Sequence, residues 1–292
     1  MQDYKIEVQK RELSSKKSFV KGLRHNGDIP GIYYSHDSKE SIPFIVTQKV
    51  LREALKSDSQ VYKINVGSKT RDVIIKSIQY HPITEEMLHI DLYGVDMDTK
   101  VIILEGSGKG FSAGHNLKEV KGYKNRSNHL KLFNHCSKLM LQIVEGNKPV
   151  IAKVHGAAFA AGCQLVASCD LAYSTNDAFF ATPGVNIGLF CSTPMVAISR
   201  KVNRKIMMKM LLTGEPVKAK YAKDIGLIND HFSKSKLNNE VLKVAKNIAS
   251  KSNLTIKIGK KAFYKQLEMP LKNAYKFTSE MMTLNMMSQD AK

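Results

Sequence analysis

Cysteine is sparse in this 292-residue sequence, and none of it is arranged for metal or disulfide chemistry. Cys136, Cys163, Cys169 and Cys191 form no CxxC pair and have no histidine at metal spacing. That pattern reads as reduced packing thiols in a cytoplasmic protein, and it names no metal site. Long apolar runs are also missing. The most apolar stretch, AAFAAGCQLVASCDLAY, is broken by Gln164 and Asp170. No segment reaches the run of about 18 apolar residues that a membrane helix needs. The opening MQDYKIEVQK lacks the apolar core of a secretion signal. Acidic residues are few, 26 against 45 lysines and arginines, for a formal net charge of +19. Such a surplus attracts phosphate, whether of nucleic acid, anionic lipid or a phosphorylated cofactor. A solvated lysine-rich surface gives the same total, so position has to decide. The length and a hydrophobic share of 43% suit two domains.

In the first hundred residues, YKIEVQK alternates apolar and polar positions as a half-buried strand does. Ser14 or Ser15 is placed to cap a short helix that Gly27 and Pro30 stop. On that helix Lys17, Lys21 and Arg24 recur at i, i+4 and i+7, with Phe19, Val20 and Leu23 on the other side. IPGIYY, IPFIV, VYKINV and RDVIIKSIQY follow as short strands, with one further helix in TQKVLREALKS. Short strands between polar turns predict a small β-barrel or sandwich. Tyr34 ends one strand, and His89 and Asp91 alternate on another, so they share a face. Basic groups there hold phosphates, and His and Asp hydrogen-bond bases or sugar hydroxyls. A metal reading of His89 and Asp91 lacks a third ligand.

The stretches KRELSSKKSFVKGLRHNGDIPGIYY and QYHPITEEMLHIDLYGVDM resemble the bacterial large-subunit ribosomal protein family "L twenty-five", related to the general stress protein CTC. The likeness covers residues 1–98. It implies a six-stranded barrel with short helices that clasps 5S rRNA within the large ribosomal subunit. Lys17, Lys21, Arg24, Tyr34, Lys76, His89 and Asp91 would face the RNA as a cationic barrel surface. Where the family has a loop rich in glycine and arginine, this chain has KKSFVKG, which keeps charge but loses the planar guanidinium fork.

From Val101 the sequence changes character. VIILEGSGKGFSAGH is a strand opening into a glycine turn. It fits neither a P-loop, because Gly110 stands where Ser or Thr must hold magnesium, nor GxGxxG, because position 111 is Phe. A second strand, KPVIAKVHG, leads into small residues, Ala160, Ala161 and Gly162, and then a helix from Cys163. Two turns of this kind offer backbone N–H groups to a thioester oxygen that gains charge. Together with ATPGVNIGLFCSTP and LLTGEPVKAKYAKDIGLIN, they resemble the crotonase family, the enoyl-CoA hydratase/isomerase group, hydratase-domain-containing subgroup.

That resemblance implies an α/β spiral of β-β-α repeats followed by trimerising helices, over residues 99–292. It implies an oxyanion hole from the His115 and Ala161 N–H groups, with Ser112, Ala113, Gly114 and Gly162 around it. The ligand would be a coenzyme A thioester, with no covalently held cofactor and no membrane attachment. The family's two glutamates fall on Gln164 and Gly184, neither of which is an acid or base, and Asn116 replaces a carboxylate. His115 is then the one titratable group beside the hole, as pocket lining or as a substitute base. By the same comparison the spiral lacks its first strands and its last helix. Three outcomes follow: a 5S rRNA-binding domain joined to an acyl-CoA-binding domain, an acyl-CoA enzyme, or a chimera in which only the RNA-binding part functions. The Met clusters MMKM and MMTLNMM read as helix packing.

Overall fold

The computed structural model describes residues 4–12, 17–35, 41–57, 59, 61–66, 69–81, 84–95 and 99–291, apart from the side chains of Lys17 and Phe19. The chain divides into two compact units, Met1–Thr99 and Lys100–Lys292. The capping serines Ser14 and Ser15, and Lys16 at the start of KKSFVKG, lie outside the described residues.

The front unit runs β1 (Tyr4–Ile6), β2 (Gln9–Lys10), α1 (Lys17–His25), β3 (Asp28–Tyr34), β4 (Ser41–Thr47), α2 (Gln48–Lys56), β5 (Tyr62–Val66), β6 (Lys69–Tyr80) and β7 (Met87–Gly94). These strands form one sheet in the order β1-β5-β6-β7-β3-β4-β2. The single strand expected over YKIEVQK is therefore split. β1 pairs parallel with β5 at one end of the sheet, and β2 pairs antiparallel with β4 at the other. Only Glu7 and Val8 separate the two halves, so the sheet curls until its ends meet at one chain segment. Alternation decides which residues fill the curl. Ile29, Tyr33, Phe44, Val46, Ile64, Val66, Val73, Ile90 and Leu92 point inward and are buried. Gly31 belongs to this core because a side chain there would collide with the Phe44 ring and Ile90. Thr47 caps α2, its hydroxyl accepting from the Val50 N–H at 3.4 Å.

The rear unit begins with β8 (Ile102–Glu105), α3 (Leu117–Gly122), α4 (Arg126–Glu145), β9 (Val150–Val154), β10 (Ala157–Phe159), α5 (Ala161–Ser168), β11 (Leu171–Thr175) and β12 (Phe179–Ala181). A 3-10 turn (Pro183–Ile187) leads to α6 (Ser192–Ile198), α7 (Arg204–Thr213), β13 (Val217–Lys218), α8 (Ala219–Asp224), β14 (Asp230–Phe232), α9 (Lys234–Ala249), α10 (Asn253–Gln266) and α11 (Leu271–Met286). Two sheets result, β14-β11-β9-β8 and β10-β12-β13. Successive turns of chain place one strand in the first sheet, the next in the second, and then a helix: β9, β10, α5, followed by β11, β12, α6. This is the β-β-α spiral. Its preceding turn contributes β8 at the edge of the first sheet and a single bridge, Ser112 to Ala158, at the second.

The strand β9 is apolar on both faces because both are covered. Val150, Ala152 and Val154 join the core with Cys163, Val166 and Phe180, while Ile151 packs on Leu237, Val241 and Ala245 of α9. The two Met clusters part company. Met207 and Met210 are buried on α7, whereas Met282, Met286 and Met287 are exposed on and just beyond α11.

Candidate functional site

In the rear unit the turn after β8 and the turn before α5 are pressed together. The Ser112 carbonyl accepts from the Phe159 N–H at 2.8 Å, and the Phe111 N–H donates to the Ala157 carbonyl at 2.9 Å. Gly162 makes the approach possible. A Cβ there would stand 2.8 Å from the Ser112 Cβ and would enter the van der Waals shell of the Ser112 carbonyl oxygen. Gly114 takes a positive φ of 89°, and a side chain on it would lie 3.2 Å from the Ala161 nitrogen. Ala113 is exposed at this turn. The Ser112 hydroxyl accepts from the Gly114 N–H at 3.3 Å and holds it in shape.

Two donors are left over at this junction. Ala161 is the first residue of α5, so helix geometry gives its N–H no acceptor. Among the described residues neither the Ala161 N–H nor the His115 N–H donates to protein. Ala160 sets the direction of the first, with its own N–H bonded to the Ala181 carbonyl at 2.9 Å and its backbone at φ 50°, ψ −115°. That region suits glycine and costs other residues about 1–3 kcal/mol. The substitution Ala160→Gly is expected to raise the stability of the rear unit by about 1 kcal/mol, read as an increase in denaturation midpoint.

The positions of the family glutamates hold no acid or base. Gln164 is 3% exposed, its amide oxygen 4.0 Å from the Cys136 sulfur. Gly184 is buried, its N–H directed at the Cys191 sulfur at 3.4 Å. A Cβ on Gly184 would meet the Leu189 carbonyl oxygen at 2.8 Å and the Cys191 sulfur at 2.9 Å. A glutamate therefore cannot be returned to that position without opening the loop. The nearby thiols do not substitute. Burial pushes Cys163 up to about 12 and raises Cys136 and Cys191, so all three stay protonated at neutral pH. The His115 ring is half-buried and packs edge-on against Phe133, centroids 5.8 Å apart. The Asn116 side chain caps α3, accepting from the Lys118 N–H at 3.1 Å. Aspartate and asparagine cap about equally well, so the exchange leaves the helix intact.

Sequence reasoning misses a third group near this core. Lys260 of α10 reaches the Asp170 carboxylate at 2.7 Å and the Ile143 and Lys148 carbonyls at 2.8 and 2.9 Å. Tyr264 donates to the same carboxylate at 2.9 Å, as does the Val150 N–H at 2.7 Å. Burial, reinforced by the Asp170 charge, raises the Tyr264 phenol and keeps it a donor. The signal that could find it is the i, i+4 spacing of Lys260 and Tyr264 together with an aspartate between two apolar stretches.

In the front unit the outward sheet face gathers several of the residues named from sequence. Tyr34 pairs across to Tyr93, Ser77 to Asp91, and Gln79 to His89. A bulge between Ile75 and Ser77 swings Lys76 over this face, its ammonium 5.1 Å from the Tyr34 ring centre and 6.0 Å from that of Tyr93. The Ser77 hydroxyl donates to Asp91 at 2.6 Å. Arg24 and Lys21 are exposed on α1, and the Arg24 guanidinium donates to the Leu88 carbonyl at 3.0 Å, tying the helix end to β7. The Lys17 side chain lies outside the described residues. Among the described residues, buried His89 Nδ1 has no hydrogen-bond partner and lies 3.6 Å from Asp91.

Desolvation lowers the His89 pKa, Asp91 opposes this, and Arg11 and Arg24 add to it. The fold thus favours neutral His89. The stability that follows is complete above the unfolded value of about 6.5 and is lost as pH falls through the lower folded value. Denaturation of the front unit is expected to become easier below pH of about 6.5, and His89→Gln is expected to flatten that dependence.

The expectation of a cationic barrel needs correction. Residues 1–99 hold 15 lysines and arginines against 14 aspartates and glutamates. Residues 100–292 hold 30 against 12. The basic surplus belongs to the rear unit, and the front face carries local rather than net charge. Among the described residues no group of three or more His, Cys, Asp or Glu is placed to hold a metal, and no helix is long and apolar enough to cross a membrane.

Comparison with known proteins agrees with both halves. The Ribosomal L25p family model matches residues 6–92. Enoyl-CoA hydratase domain-containing protein 3, mitochondrial, of Rattus norvegicus is 47% identical over 193 residues, and that of Homo sapiens 48%. The match takes in 66% of this chain and 64% of each relative, so the chain spans under two thirds of their length. Crystal structures of an enoyl-CoA hydratase of Mycobacterium smegmatis and of the human domain-containing protein 3 superpose with TM-scores of 0.65 and 0.64 at 46% and 47% identity. They cover 66% of this chain and 75% and 76% of theirs. The Enoyl-CoA hydratase/isomerase family model runs over residues 81–292, overlapping the ribosomal match partly on β7 of the front unit. With the spiral, the paired turns and this match in agreement, the chain belongs to the enoyl-CoA hydratase/isomerase family, and its first part matches the Ribosomal L25p family model.

Proposed function

We propose that the rear unit binds an acyl-CoA thioester and polarises its carbonyl without hydrating the acyl chain, and that the front unit binds 5S rRNA of the large ribosomal subunit. The observation that carries the first half is the pair of unpartnered N–H groups, His115 and Ala161, on two turns held together at Gly162. A thioester oxygen placed between them receives two hydrogen bonds that strengthen as it gains charge; one such donor is worth about 3 kcal/mol of barrier. Ser112 and Gly114 shape one turn, and Gly162 lets the other approach. Hydration also needs a proton taken from water and another given to the acyl chain. Gln164 carries an amide and Gly184 no side chain, and each missing acid or base removes about 10²- to 10⁴-fold. The cradle thus retains a binding and polarising function. Thermal unfolding in the presence of acyl-CoA tests this: a rise in midpoint supports it, and no response removes it.

The front half rests on Lys76, Tyr34, Tyr93, His89, Asp91 and Ser77 sharing one sheet face, with Lys21 and Arg24 of α1 also exposed. Aromatic rings, an ammonium and hydrogen-bonding groups on one sheet suit bases and phosphates together. A mobility-shift titration checks it by comparing 5S rRNA with an unrelated RNA of equal length. The exposed apolar residues of α11 and its C-terminal end, with Leu271 74%, Tyr275 70% and Met287 82% exposed, support self-association of the rear unit, and the family resemblance proposes a trimer. With the ribosome as its partner, the chain is proposed to work in the cytoplasm.

A further inference from the structure

Residues 234–266, from the start of α9 to the end of α10, hold nine lysines and one acidic residue, Glu240. Lys260 is the buried clamp on Asp170; the other eight lysines are exposed. Lys257, Lys261 and Lys265 recur at i, i+4 and i+8 on α10. Like charges at that spacing weaken a helix unless an anion lies across them. A lysine-rich composition does not account for this run. Lysines are frequent in both units, and what sets the rear apart is its scarcity of acids, 12 in residues 100–292 against 14 in residues 1–99. The phosphates of a single nucleotide ligand are too few to neutralise eight ammonium groups spread along two helices.

We infer that the exposed lysines of α9 and α10 in the rear unit bind the phosphate backbone of RNA and supply most of the electrostatic affinity of the whole chain for it. The inference rests on the reading of the front unit as an RNA binder. A near-neutral front face with rings and hydrogen-bonding groups selects the RNA, and a strongly basic unit on the same chain grips whatever backbone is nearby. Joining the two makes the second contact effectively intramolecular.

The test uses the full chain and the variant Lys257→Gln/Lys261→Gln/Lys265→Gln. All three side chains are exposed, and the Lys265 ammonium also lies 4.9 Å from the Phe277 ring centre, so an unchanged thermal midpoint is confirmed for the variant first. Affinity for 5S rRNA and for an unrelated RNA is measured from low to physiological salt. Each lost phosphate contact reduces the slope of log K against log salt by about 0.7–0.9. The variant is expected to lose about 2–3 in slope for both RNAs, while the preference for 5S rRNA is unchanged. An unchanged slope overturns the inference, as does a variant that keeps its RNA slope but is released from phosphatidylserine vesicles that hold the parent chain. Loss of 5S preference in the parent chain with its steep slope intact would sink the front-unit reading instead.

Discussion

Replacing Lys260 with methionine is expected to destabilise the rear unit by about 3–5 kcal/mol, the usual cost of removing one partner of a buried ion pair. The Lys260 side chain is 6% exposed, and its ammonium makes three hydrogen bonds, to Asp170 and to two main-chain carbonyls, one near the end of α4 and one just before β9. Its removal leaves the Ile143 and Lys148 carbonyls short of a donor and leaves Asp170 with only Val150 and Tyr264. Asp170 lies just past the end of α5, so the clamp fixes α10 against the helix that begins at the candidate site. At about 2–4 °C per kcal/mol for a unit of this size, the thermal midpoint should fall by roughly 6–20 °C. The double variant Lys260→Met/Asp170→Asn removes both charges and is expected to recover part of the loss. If the single variant costs under about 1 kcal/mol, the network is not the clamp described.

Replacing Gly162 with valine is expected to cost about 3 kcal/mol or more, at or beyond the upper end of overpacking effects, because the obstacle is backbone and cannot rotate away. The added Cβ would press on the Ser112 carbonyl and force apart the turns that carry the His115 and Ala161 N–H groups. Stability and acyl-CoA affinity should fall together. Denaturant unfolding gives the first and calorimetry the second. A variant that keeps its stability and loses nothing in affinity would show that the turns do not depend on this approach.

Much of this architecture is legible in the sequence because periodicity reports burial. β3, β4, β5, β6 and β7 show as short apolar runs between polar turns, and α5 shows as small residues after a strand. The split of the first strand into β1 and β2 does not show, because it is imposed by pairing with two sheet ends far apart in the chain. Gly162 can be recognised as a small residue, but its reason, the Ser112 carbonyl 50 residues earlier, is tertiary. The positive φ of Ala160 is hidden because alanine does not advertise it. Lys260 is hidden for a different cause: within IKIGKKAFYK it resembles its exposed neighbours, and only the helix's orientation turns it inward. Assigning the basic surplus to the barrel reads a local stripe without its compensating acids. Counting by unit reverses the assignment.

The proposed cradle would hold a thioester and lacks the groups to hydrate it. Calorimetric titration of the full chain with crotonyl-CoA tests both statements at once. Heat that saturates with added ligand, followed by a flat baseline, is the predicted result. A continuing reaction heat after each injection, or no heat of binding at all, would contradict it.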